Sequence, residues 1–144
     1  MLPDAVRVAK LAPNLRIIID HLPFKDWDRD PSALRHALAD AAAYPNIHAK
    51  VSEVVRRADG KVTEDAAFYR PGLDALWELF GPDRVLYGSN WPVSNLVAPY
   101  ATVYQVVADY VRSKTRAEQE KYFWRNALAV YRWQPRGLAA GLLK

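Results

Sequence analysis

Residues 80–93 read Phe-Gly-Pro-Asp-Arg-Val-Leu-Tyr-Gly-Ser-Asn-Trp-Pro-Val. A helix stop, Gly81-Pro82, precedes an apolar run, Arg84 to Gly88, and the run closes on the polar group Ser89-Asn90-Trp91-Pro92. An apolar body bounded by turn residues predicts a buried strand of a parallel sheet. Two earlier segments have the same form. Leu15-Arg16-Ile17-Ile18-Ile19-Asp20 is nearly continuous in β-branched residues and ends at Asp20-His21. Ile47-His48-Ala49-Lys50-Val51-Ser52 likewise carries polar residues toward its C-terminal end. Strands of this kind alternating with helical patterns predict an α/β fold with a parallel sheet.

The helical patterns lie between these strands. Asp30 is a candidate N-cap with Pro31 at the first helical position, and the helix continues through Leu34, Leu38 and Ala42 toward Pro45. Leu73, Leu76, Trp77 and Phe80 fall on one stripe that stops at Gly81-Pro82. Tyr100, Val103, Tyr104, Val107, Tyr110 and Val111 make another. Thr115-Arg116-Ala117-Glu118 has the form of a capping box, and Asn126 to Trp133 reads as a closing helix. Residues 53–67 are polar, carry the turn signal Asp59-Gly60, and read as a βα loop. The chain of 144 residues fits one domain, 1–133, followed by a loose tail, 134–144.

Composition excludes several classes. The absence of cysteine removes disulfides, thiolate zinc sites and cysteine nucleophiles, and fits a cytoplasmic protein. No apolar run approaches the roughly 18 residues of a membrane span, and residues 1–10 have no signal-peptide pattern. The net charge is +4, but basic residues alternate with acids, as in Lys25-Asp26-Trp27-Asp28-Arg29, and the longest basic cluster is Arg56-Arg57. That pattern is a mixed solvated surface, so neither nucleic acid nor membrane is an expected partner.

If the three strands are neighbours, their polar ends share one face, and His21, Lys50 and Asn90 become candidate catalytic residues. None is strong alone: a lone histidine reads as a structural hydrogen-bonding residue and a lone lysine as a surface charge. Their joint position at three successive strand ends is what singles them out. His48, two residues before Lys50, is expected on the same face as a substrate-binding residue. Trp91 either lines a pocket, where an aromatic face packs against a sugar ring, or packs beneath the mouth of the site. His36 lies in a helix and reads as a surface residue.

Ile19-Asp20-His21-Leu22, the segment from Pro45 to Ser52, and the segment from Phe80 to Val93 resemble consecutive motifs of the amidohydrolase-related family. The likeness is to its sugar-lactonase-like branch, and the Gly-Ser-x-Trp-Pro element is the most diagnostic part. Arg125-Asn126-Ala127-Leu128 with Tyr131 resembles the family's last helix. The resemblance implies a distorted (β/α)8 TIM barrel, of which these strands are the sixth, seventh and eighth. It implies hydrolysis of a lactone or similar carbonyl compound by water, with a divalent metal such as zinc or without one. His21 matches a histidine that binds metal or polarises the carbonyl. Asn90 matches a position usually held by the aspartate that deprotonates the water.

The chain departs from that pattern twice. Asn90 cannot take a proton near neutral pH, which leaves His21 and Lys50 as substitute bases. Asn90→Asp, in a full-length homologous context, is expected to raise hydrolysis. The chain is also shorter than the roughly 200 to 250 residues of a whole barrel, and its histidines, His21, His36 and His48, do not form the family's His-x-His pair. The resemblance therefore covers the C-terminal part of the barrel alone. It predicts a truncated form acting on a small molecule, with a second copy or a complementary half-barrel as partner. The alternative is a non-catalytic α/β module that binds a sugar or organic acid.

Overall fold

A computed structural model describes residues 2–21, 29–58 and 60–134. In chain order its strands are β1 (Ile17–Ile19), β2 (Ile47–Val51), β3 (Arg57–Ala58), β4 (Lys61–Val62) and β5 (Val85–Tyr87). The three expected strands form one parallel sheet in the order β1-β2-β5. Ile18 is level with His48, and Lys50 with Leu86. The ladders are shorter than the apolar runs, because the polar ends turn away from the sheet. Gly88 still donates its N–H to the Val51 carbonyl at 3.0 Å.

The helices are α1 (Leu2–Leu11), α2 (Pro31–Ala42), α3 (Ala66–Phe80), α4 (Tyr100–Val111), α5 (Arg116–Glu120) and α6 (Asn126–Tyr131). A 3₁₀ turn spans Val93–Leu96, and a π turn, Lys121–Arg125, joins α5 to α6. The N-terminal caps follow the sequence reading. Asp30 accepts from the Ala33 N–H at 2.9 Å, and Thr115 with Glu118 forms a reciprocal capping box.

Three expectations are corrected. Residues 2–11, to which no element was assigned, form α1, with Leu2, Ala5, Val6 and Ala9 along one stripe against the core. Residues 53–67 are more than a loop. They carry the antiparallel β3–β4 hairpin, where Gly60 at φ 77° supplies the left-handed backbone of a tight reversal, and they include the start of α3. That helix begins seven residues before Leu73 and runs through Pro71. Asp65 caps it by accepting from Ala67 at 2.8 Å, and the buried Tyr69 donates its hydroxyl to Thr63 O at 2.7 Å. The cap and that burial hold a turn that proline would otherwise oppose. In α4 the stripe is narrower than expected: Val103, Val107, Tyr110 and Val111 are buried, whereas Tyr100 and Tyr104 lie stacked and substantially exposed. The expected tail lies outside the described residues beyond Gln134.

Strand alternation divides the sheet into two faces. Ile47, Ala49, Val51 and Val85 are essentially inaccessible and join Leu38, Leu73, Leu76 and Phe80 in the core. His48 and Lys50 point to the other face. At the N-terminal ends of the strands, Arg84 donates to Phe80 O, Tyr44 O and Ile47 O. Asn126 of α6 donates to Pro82 O and Val85 O, both at 2.7 Å. The functional candidates lie at the opposite end. Among the described residues no helix is long and apolar enough to cross a membrane.

Candidate active site

The first site residues follow β1. Asp20 pairs with the Lys50 ammonium, whose Nζ lies 3.2 Å from Oδ1 and 3.3 Å from Oδ2. The same carboxylate accepts the His21 backbone N–H at 3.0 Å and stands 3.6 Å from His21 Nε2. His21 Nδ1 meets Ser52 Oγ at 2.8 Å. If Ser52 donates that bond, Nε2 carries the ring proton and faces Asp20. If Nδ1 donates, Nε2 offers a lone pair to the site. Either way β1 and β2 place a carboxylate, an ammonium and an imidazole in one hydrogen-bonded group at their C-terminal ends.

The second group joins β2 to β5. Asn90 Nδ2 donates to Glu53 Oε1 at 2.8 Å. Trp91 donates its backbone N–H to Ser89 Oγ at 3.2 Å, and its peptide bond to Pro92 is cis. The Trp91 side chain is 61% exposed, so it does not pack beneath the mouth but leaves its ring open there. Ser52, fully buried, and Glu53, exposed, are adjacent in sequence and connect the two groups.

Two backbone features create this arrangement. His21, Glu53 and Asn90 have φ of 50°, 56° and 54°. All three lie just past a strand end and hold a left-handed conformation that costs a non-glycine residue about 1 kcal/mol or more. Each strand therefore turns sharply just beyond its end. Gly88 supplies the second feature. A Cβ there would fall 2.9 Å from both Lys50 Cε and Ser52 Cβ. The absent side chain is what lets the Lys50 stem lie across β5.

The candidates are thus only partly united. His21 and Lys50 meet through Asp20, and Asn90 and Trp91 follow β5, where Asn90 reaches Glu53. His48 shares the face of Lys50 but lies two residues deeper, roughly 7 Å along the strand. Burial, chiefly, lowers its pKa, and the Arg84 and Arg16 cations add to the effect while backbone hydrogen bonding at Asn46 opposes it. No bond joins it to the strand-end group. His36 is exposed on α2, as expected. Four participants were not singled out from sequence: Asp20, Ser52, Glu53 and Gly88. Asp20, Ser52 and Gly88 lie inside the quoted strand ends, and Glu53 opens the segment read as a loop, but spacing alone does not reveal which pairs touch.

The donor set does not fit a complete metal centre. Among the described residues no three His, Cys, Asp or Glu side chains are gathered where they could hold an ion. Asp20 and His21 are the nearest pair, and His21 Nδ1 is already engaged by Ser52.

A parallel α/β sheet with charged and hydrogen-bonding groups massed at its C-terminal edge is the arrangement of barrel-type enzymes. The Amidohydrolase family model matches residues 1–133, and the chain belongs to that family. It is 34% identical over 117 residues to the L-fucono-1,5-lactonase of Burkholderia multivorans, an alignment covering 75% of this chain and 40% of the lactonase. An amidohydrolase of Burkholderia multivorans solved with HEPES superposes with a TM-score of 0.80 at 31% identity, covering 92% of this chain and 50% of that one. A second structure of that amidohydrolase, solved with zinc, gives a TM-score of 0.79 at 27% identity over 92% of this chain and 49% of its own. The chain spans half or less of the length of these relatives.

Proposed function

We propose that this protein hydrolyses a lactone or a similar cyclic carbonyl compound by attack of water at the β1-β2-β5 mouth. The observation that carries the reading is the convergence of Asp20, His21, Lys50, Ser52, Glu53 and Asn90 at three adjacent strand ends, in a chain similar to a lactonase. Water adds to the carbonyl carbon and loses a proton, the ring C–O bond breaks, and the ring oxygen takes up a proton. The Lys50 ammonium is the preorganised donor for the negative charge that develops on the carbonyl oxygen, and the His21 imidazole joins it when Nε2 carries the ring proton. Trp91 offers an open aromatic surface for the apolar face of a sugar ring. His48 lies too deep for a ligand resting on Lys50.

This reading places the three strands sixth to eighth in a (β/α)8 barrel, with the outer edges of β1 and β5 meeting strands of a second copy or a complementary half. Unpaired edges in a sheet favour such pairing. To a divalent ion His21 contributes at most one bond, with Asp20 as the second donor within reach.

The test is ring opening of a panel of aldonolactones by the purified chain, followed with a pH indicator. Release of acid above the uncatalysed rate supports the hydrolase. Binding of the lactone or its sugar acid without acid release supports instead the non-catalytic module, which the amide at position 90 favours.

A further inference from the structure

We infer that Glu53 is the general base of the site and that Asn90 holds its carboxylate in place. The inference rests on the hydrolase reading above and names the group that removes the proton from water.

The site lacks a carboxylate at position 90, and neither earlier substitute fits the vacant task well. Lys50 is engaged as an ammonium donor to Asp20, and an ammonium has no lone pair. His21 is held between Ser52 and Asp20 at the β1 side. Asp20 itself is occupied by Lys50 and by the His21 N–H. Glu53 differs from all of these. It is exposed, it stands at the strand end between the two hydrogen-bonded groups, and one oxygen alone is engaged, Oε1 by Asn90 Nδ2 at 2.8 Å. Among the described residues no hydrogen bond or ion pair engages Oε2. A carboxylate anchored through one oxygen presents the other, with its lone pairs, to water.

The backbone supports the same assignment. Glutamate at φ 56° sits in a conformation where glycine would be unstrained. A non-glycine side chain held in such a conformation at a strand end motivates a functional reading. Asn90 is also left-handed, at φ 54°, and its amide is directed at the carboxylate. An amide donor is the partner an ionised glutamate requires, whereas an aspartate at position 90 would oppose one carboxylate to another.

In the reaction, Glu53 Oε2 accepts a proton as the water oxygen bonds to the carbonyl carbon. The ring C–O bond then breaks, and the proton on Glu53 passes to the departing ring oxygen, which restores the carboxylate. Water is the co-reactant, and no oxidant or reductant enters the balance.

The experiment uses the full chain and the aldonolactone panel. Wild-type ring opening is the control; its absence overturns the hydrolase reading and the role of Glu53 with it. With an active wild type, Glu53→Gln is expected to lower kcat about 10²–10⁴-fold, the usual contribution of a general base, with little change in KM. Glu53→Gly, relieved of the left-handed strain, is expected to melt at the same temperature or higher and yet be inactive, with partial rescue by added formate. Asn90→Asp alone is expected to lower the rate, and Glu53→Gln with Asn90→Asp, which exchanges amide and carboxylate, to recover part of it. Wild-type rates in Glu53→Gln, or in Glu53→Gly without formate, overturn the assignment and leave the hydrolase intact.

Discussion

Residue by residue, the site depends on what is small as much as on what is charged. Lys50 reaches Asp20 because Gly88 leaves its stem a path. Gly88→Ala is expected to displace Lys50 and crowd the Ser52 Cβ, which is fixed to the backbone and cannot yield as a lysine tip does. Overpacking of this kind costs about 1–3 kcal/mol, readable as a lower midpoint in urea, with lactone hydrolysis reduced at the same time. An unchanged midpoint and rate would mean that the strand moves aside freely. His48 gives a pH prediction. Its folded pKa lies below the ordinary 6.5, mainly through burial, so folding favours the neutral ring. Between the folded value and 6.5 the unfolded chain binds more protons, and stability rises with pH there. The contribution is complete above 6.5 and fades as pH falls toward the folded value. Unfolding free energy measured at pH 7.5 and at pH 5 should therefore fall more in the wild type than in His48→Gln. Equal slopes would show that the ring protonates without cost in the fold. With Glu53 as the base, Asn90→Asp is expected to lower hydrolysis rather than raise it, because of a hydrogen bond between residues 37 apart that spacing along the chain does not disclose.

Among the elements, the C-terminal helical run shows how a motif quoted for its resemblance acquires a physical role. Asn126 opens α6 and is nearly buried, and its amide caps the carbonyls of Pro82 and Val85 at the foot of β5. Asn126→Ala leaves two carbonyls without that donor, and a buried unsatisfied group costs about 1–3 kcal/mol. The variant should unfold at lower urea with an unchanged slope, while substrate binding at the far end of the sheet persists. Loss of binding with no loss of stability would contradict a purely structural role. The capping box of α5 and the Asp30 cap of α2 were readable directly, because a cap is a contact between residues three apart. The start of α3 was not, since Pro71 and Gly72 oppose a helix locally and the burial of Tyr69 against the core overrides them. The α1 stripe was legible in its spacing, but a short stretch with two buried positions asserts itself only when α2 and the sheet are there to receive it.

Across the whole molecule, the described sheet has three strands, and its outer edges belong to β1 and β5. Pairing of those edges with a second copy predicts a particle heavier than one chain. Light scattering during thermal unfolding should show a cooperative melt from a defined multiple of the chain mass. A cooperative melt at the mass of a single chain would sink closure by a second copy. Zinc provides a separate check. Because no three His, Cys, Asp or Glu side chains are gathered around an ion among the described residues, added zinc should leave the melting temperature unchanged. A rise of several degrees would reveal a fuller donor set.

The α/β class, the positions of the three strands and the two principal caps, together with His21, Lys50, Asn90 and Trp91 at their strand ends, are legible along the chain. Each of these is written in short-range patterns: alternation, helical spacing, and a polar residue where an apolar run stops. Packing is what makes Lys50 and His21 share Asp20, sets His48 two residues deeper in β2, lets Gly88 make room for a lysine, and turns Glu53 toward Asn90. These are contacts between strands, set by parallel register and by three left-handed turns, and they exist only once distant segments have packed side by side.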